Sequence, residues 1–366
     1  MVATETSITS SDSGSVDVRE ANSYDFVRFC AASAVLFSHH FDLSGFAEPV
    51  VPGYREDFGE VAVEVFFCVS GFLICRSLQR SPGWIRFVAA RFLRIFPNLA
   101  FVLMVSSVAT FLWHRNYQNL SPHVSYVVDN LLMFVKGVTF TIPGVFTDAA
   151  SREINNPLWT LPYELWCYVL LALMFVLGVA RSSALIVITT LLITAAWSVS
   201  AFIDDFDIGT LESFEFFRLG SYFMSGALLA VVWRWIGRHA IAVGAAGLLA
   251  GFAVRNLLPI DTALHSLALA ACIIGLGSSS TMAWFGRGGD ASYGMYVFAW
   301  PVQQFVLLMI PSFWLSLLVA FLVTTAIGYA TWHAFERRMM SYPKRLAERL
   351  SGSTPCRSGN TETPNS

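Results

Sequence analysis

Between Tyr24 and Cys75 the chain passes twice through an apolar run long enough to cross a bilayer, and both runs hold ionisable side chains: Arg28, His39 and His40 in the first, Glu64 in the second. An ionisable group inside hydrocarbon costs several kcal/mol, so one that is present there is a functional candidate by default. Eleven positions separate Arg28 from His39. On a helix that is about three turns, which puts both on one face roughly 16 Å apart along the axis. One stripe of helix therefore offers a fixed cation at one end and a titratable base at the other.

The run length recurs along the chain. A spanning helix needs about 20 apolar residues, and lipid leaves no backbone group satisfied except within a helix or closed barrel. On that rule the sequence predicts an all-α polytopic membrane protein with ten spans: 24–43, 60–78, 89–113, 157–179, 182–203, 215–236, 240–258, 262–283, 291–310 and 312–335. The stretch 124–140 is apolar but shorter, an eleventh partial or interfacial helix. Composition agrees, with 55% hydrophobic residues, 13% charged and a mean hydropathy of +0.59, where soluble domains carry about a quarter charged residues. Three regions follow: a polar, disordered cytoplasmic lead-in over 1–22 that lacks a cleavable signal, a membrane domain over 23–340, and a cytoplasmic polar tail over 341–366.

Lys and Arg accumulate in cytoplasmic loops. With ten spans and both termini in the cytoplasm, most of the 23 basic residues fall inside, and only Arg55, Arg115, Lys136, Arg152, Arg218 and Arg255 fall outside. Arg76, Arg80 and Arg86 then read as positive-inside anchors. Arg28, Arg91, Arg94 and Asn98 lie low, towards the cytosol, while His39, Glu64 and Glu164 lie high, and Ser70 and Gly71 sit near mid-depth. Before Glu164, Asn156 is placed as a helix N-cap with Pro157 at the first helical position. No basic aromatic patch supports nucleic-acid binding. The six cysteines have no metal-ligand or disulfide spacing and read as packing residues.

Cations at a cytosolic mouth and a His with carboxylates at the outer end suit a substrate that is anionic at one end and reactive at the other. Coenzyme A thioesters have that shape. Arginine holds phosphates by charge and paired donors, and the Arg28–His39 spacing is comparable with the reach of the pantetheine arm. A neutral His can take a hydroxyl proton during attack on a thioester, and Glu64 or Glu164 is expected to orient it. His40, about 100° around the helix, reads as interfacial packing. Ser70 reads as a helix-contact residue beside Gly71, and Glu336 with Arg337 as an interfacial ion pair.

Five strings occur in order: Arg28-x10-His39, VEVFFCVSGFLI from Val63, RFLRIFP from Arg91, PLWTLPYELWCY from Pro157 and SYGMYVFAWP from Ser292. Together they resemble the acyltransferase family 3 membrane proteins, which O-acylate cell-surface polysaccharides, lipopolysaccharide and related acceptors. The resemblance implies essential roles for Arg28, His39, Arg91 and Arg94, with Glu164 as the acid of a W-x4-E motif begun by Trp159; Ser70 and Tyr168 stand in support. It implies acyl-CoA, acetyl-CoA above all, as co-substrate, with no bound cofactor or metal, and a carbohydrate or glycolipid acceptor outside a bacterial inner membrane. An oligomer or a polysaccharide-assembly partner fits the same picture. Two positions depart from the family pattern. Glu64 stands where Asp is usual, and Ala299 where a His is usual, which bears on the acceptor. No SGNH-type domain follows the membrane core. Two other readings use the same buried charges: a transporter or flippase of a glycolipid or small organic acid, and acylation of a lipid or secondary metabolite.

Overall fold

The computed structural model describes residues 22–52, 56–80, 84–114, 119–178, 182–200, 202–254 and 261–340. The expected lead-in, apart from Asn22, and the expected tail lie outside these, as do Arg55, Arg115, Arg181 and Arg255. Every one of the ten apolar segments contains a helix: α1 Tyr24–Leu43, α2 Phe58–Arg80, α3 Trp84–His114, then the short α4 Ser121–Leu131 and α5 Met133–Lys136, α6 Thr160–Val176, α7 Ser183–Ser200, α8 Ser213–Ile236, α9 Ala240–Val254, α10 Asp261–Ser278, α11 Ser292–Met309 and α12 Phe313–Thr331. A two-residue hairpin, Asp207–Ile208 with Leu211–Glu212, is the one sheet among the described residues. The class is all-α.

Six stretches are long and apolar enough to cross a membrane by length and composition: Phe58–Arg80, Phe87–His114, Asn156–Val176, Ser183–Ser200, Ser213–Ala253 and Phe313–Met340. α1 and α11 are not among them. They carry polar groups within their length, among them Arg28 and His39 on α1 and Gln303 and Gln304 on α11. α4 has 11 residues, about 16 Å of rise, which falls well short of the hydrocarbon thickness.

α2 packs more extensively on α8 than on any other helix, and glycine lets the two backbones approach. A Cβ on Gly71 would lie 1.9 Å from the Phe223 carbonyl oxygen, and one on Gly226 would lie 2.1 Å from that of Cys68. Each backbone occupies the space of the other's missing side chain, the small-residue contact by which helices in lipid associate. α7 packs on α8, α9 on α10 and α12 on α11, while α1 touches both α2 and α11. α1 is thus an inner helix. Its Val35 and Leu36 are buried, as are Phe72 of α2, Leu99 and Leu103 of α3, and Trp300 of α11.

Pro301 lies inside α11 and has no N–H to give, so the carbonyl four residues earlier, that of Val297, loses its helical donor. The Asn155 amide supplies one at 2.9 Å. Gln304 donates to the carbonyls of Ser151 and Glu153, and the Trp300 indole also donates to Glu153. The carbonyl freed by the proline thus anchors Asn155, and the Gln304 and Trp300 side chains hold Ser151 and Glu153 beside it on α11. The chain then enters α6 through a 3₁₀ turn, Asn156–Trp159. This corrects the expected cap: Asn156 is inside that turn, its amide bonded to Glu153 at 2.6 Å.

Candidate active site

A cleft opens between α1, α2, α3, α6 and α11. Arg28, Ser70, Arg91, Arg94, Glu164 and Tyr168 all line it, with Thr160 and Tyr296 further along its wall. Six predicted residues from four helices therefore share one space. His39, Glu64 and Trp159 do not line it.

The guanidinium groups are not equivalent. Arg94 and Arg28 both donate to one oxygen of Asp290, Arg94 at 2.7 Å. The other oxygen of Asp290 accepts from the Ser292 backbone N–H and hydroxyl at the start of α11, a favourable position for an anion. Burial pushes the Asp290 carboxyl up, but the two guanidiniums and Ser292 outweigh it and hold it well below the usual carboxylate range. Arg94 also stands 3.9 Å from Glu336, which is 2% exposed and accepts from Asn98 and Thr331. Glu336 is therefore a buried partner of the site rather than the expected interfacial pair with Arg337. Arg91 differs from both: its guanidinium lies over the Tyr168 ring at 5.9 Å, and its buried Nε has no hydrogen-bond partner. It is the one of the three with no carboxylate partner among the described residues.

Across the cleft, one oxygen of Glu164 accepts from the Tyr168 hydroxyl and from Ser70 Oγ at 3.2 Å. Ser70 faces the cleft while its neighbour Gly71 faces α8, because successive helical positions diverge by about 100°. Ser70 is thus a helix contact, through its bond to Glu164 of α6, and lines the cleft as well.

Glu64 is fully buried and bonded to Arg218 at 3.1 Å, and Arg218 in turn holds Glu215 at 2.8 Å. Arg218 is 4% exposed. It is an internal counter-ion of α8 and not the outer-loop cation the sequence count assumed. Neither Glu64 nor Glu164 is the partner of His39. That partner is Glu48, in the segment after α1, whose Oε1 accepts from His39 Nδ1 at 3.1 Å. The His39 ring also meets the edge of Trp300, centroids 5.1 Å apart. Tyr296 lines the cleft and Trp300 lies four residues on, so the imidazole stands about one turn of α11 beyond the cleft wall. At that wall the Tyr296 and Thr160 hydroxyls are bonded at 2.7 Å.

His40 is fully buried, as a packing role requires. The Gln303 amide donates to its Nδ1 at 3.1 Å, and its Nε2 faces Ser316 Oγ at 3.0 Å and the Phe313 carbonyl at 3.2 Å. Sequence reasoning missed Asp290, Glu48 and the role of Arg218. For Asp290 a local signal exists, an acid between Gly-Gly and a helix start; for Glu48 there is none, since a loop has no period.

An acyltransferase domain model matches residues 22–333 of the chain. An O-acetyl transferase of Shigella phage Sf6 is 29% identical over 338 residues, covering 88% of this chain and 97% of that protein. Nodulation protein 10 of Rhizobium leguminosarum bv. viciae is 26% identical over 363 residues, covering 90% and 96%. No solved structure matches.

Proposed function

Because the chain belongs to the acyltransferase 3 family, we propose that this acyltransferase moves an acyl group, acetyl by the name of its phage relative, from cytosolic acyl-CoA to a hydroxyl of an extracytoplasmic carbohydrate such as an exopolysaccharide or lipopolysaccharide. The protein lies in a bacterial plasma membrane with ten crossing helices and both termini cytoplasmic. Acyl-CoA is co-substrate, and no resident cofactor enters the chemistry.

Arg91, with its free Nε, and the Arg28–Arg94 pair receive the anionic end of the donor. The thioester reaches along the cleft past Glu164 and Tyr296 towards the imidazole. His39 Nδ1–H is given to a carboxylate, which leaves the Nε2 lone pair for the acceptor's hydroxyl proton. As that proton moves to Nε2, the acceptor oxygen bonds to the acyl carbon and the carbon–sulfur bond breaks. The proton then passes from the imidazolium to the departing thiolate, giving an ester and free coenzyme A.

The observation that carries this reading is the convergence of Arg28, Arg91 and Arg94, from two separate helices, on one cleft whose far wall adjoins the helix turn that touches His39. Membranes carrying the protein are supplied with labelled acetyl-CoA, and label is followed into the glycan and glycolipid fraction. Wild type is expected to label it and His39→Ala to lose labelling. Unchanged labelling by His39→Ala eliminates the base assignment, and export of glycolipid without any donor points to a transporter instead.

A further inference from the structure

The segment that follows α1 folds back over the end of that helix and is held at both sides. At its start the Ser44 N–H donates to the His40 and Phe41 carbonyls and the Gly45 N–H to Asp42, with Gly45 at φ +78°. At its end Val50 pairs with Asp57, and Asp57 and Glu60 form a reciprocal cap on α2, with the Glu60 N–H reaching Asp57 at 2.8 Å. Pro49 accepts from the Phe58 N–H at 3.3 Å. These bonds set Glu48 over the last turns of α1. There both its oxygens are engaged from that helix: Ser38, fully buried, donates to one, and His39 Nδ1 to the other.

We infer that Glu48 is the positioning residue of His39, fixing the imidazole as the Nδ1–H tautomer with Nε2 turned to the reacting hydroxyl and stabilising the imidazolium formed as that proton arrives. The inference rests on His39 being the base of acyl transfer. A carboxylate that only closed a loop would need one contact; this one presents both oxygens to adjacent residues of the helix that carries the base. The Trp300 ring packs against the imidazole as well, and its indole is itself tied to the Glu153 carbonyl at 3.0 Å. His39 Nε2 has no hydrogen bond of its own to any described residue. Two constraints and one vacant lone pair are what a general base needs. Burial raises the Glu48 carboxyl, but His39 and Ser38 outweigh it and leave it below its ordinary range. The group is therefore ionised at neutral pH.

Kinetics on membranes with matched protein abundance test this, with labelled acetyl-CoA as the varied substrate. Glu48→Gln keeps the size of the side chain and removes its charge. It is expected to lower kcat by up to about 10⁴-fold, the loss when the orienting carboxylate of a catalytic triad becomes an amide, while the KM for acetyl-CoA, whose cleft Glu48 does not line, stays where it was. Glu48→Asp is expected to recover part of the rate, and Glu48→Gln to add nothing to His39→Ala. Wild-type kcat in Glu48→Gln beside an inactive His39→Ala overturns the role of Glu48 and leaves the base in place. Full activity of His39→Ala overturns both. A raised KM with no recovery in Glu48→Asp assigns Glu48 to loop structure only. If Glu48→Gln does not accumulate, Ser38→Ala and Glu48→Asp carry the test: lowered kcat at constant donor KM supports the inference, and wild-type kcat in both refutes it.

Discussion

Asp290→Asn is the substitution on which the charge arrangement of the cleft makes its sharpest demand. Asp290 is 6% exposed and answers two guanidiniums with one oxygen. Asparagine keeps the shape but must either turn an amide N–H₂ towards both arginines or turn it towards Ser292 and lose the cap on α11. Removing one member of a buried ion pair costs about 3–5 kcal/mol, largely because a charge stays buried without its counter-ion. Two facts place this case near the low end. Arg94 keeps Glu336 at 3.9 Å, and the Arg28 side chain is 19% exposed. The expected loss is therefore about 3 kcal/mol, read as a shift in unfolding of the purified protein in mixed micelles. A double-mutant cycle sharpens the reading. Arg28→Met removes the better solvated cation, so Arg28→Met with Asp290→Asn is expected to be less unstable than the two single losses added, by at least about 1 kcal/mol for residues in direct contact. Strict additivity, or a single-variant loss under about 1 kcal/mol, which is the scale of an exposed pair, would refute the buried arrangement.

Four other outcomes follow from the same geometry. Arg91→Met removes the guanidinium that has no carboxylate partner among the described residues and is expected to raise the KM for acetyl-CoA about tenfold or more, one charge-assisted bond being about 1.5–3 kcal/mol, with kcat little changed. Gly71→Ala places a methyl 1.9 Å from the Phe223 carbonyl oxygen, so α2 and α8 must part; a loss of about 1–3 kcal/mol or more is expected, while Ser70→Ala next to it leaves the helix pair intact. Arg218→Met leaves Glu64 buried without its cation and is expected to destabilise by about 3–5 kcal/mol, with Glu64→Gln in addition restoring much of it. Because the folded state lowers the Glu48 carboxyl, its contribution is full above the ordinary glutamate range near 4.3 and is lost as pH falls through the lower folded value; an unfolding series from pH 6 to pH 3 is expected to show a shallower decline in Glu48→Gln than in wild type.

The helices were legible because run length is a property of composition, and a stretch such as Ser183–Ser200 has no alternative in lipid. The arginines and Glu164 were legible for a related reason. A charge within an apolar run violates the pattern around it, so Arg28, Arg91, Arg94 and Glu164 announce themselves, and the cleft does gather all four. What pairs with them was not. Helical spacing says which residues share a face, but it is silent on which helix that face meets, so Glu64 was set beside His39 when α8 brings Arg218 to it instead.

The two missed carboxylates show where that silence is deepest. Asp290 and Glu48 stand in connecting segments, where no period exists and an acidic residue is ordinary. Each acquires its meaning only when the chain around it is fixed: Asp290 by the start of α11, Glu48 by the capped entry to α2. The same holds for Asn155, whose amide answers a carbonyl that Pro301 set free across the fold. In each case a helix makes a demand that is visible in sequence, a cation without an anion, an imidazole without an acceptor or a carbonyl without a donor, and a loop answers it.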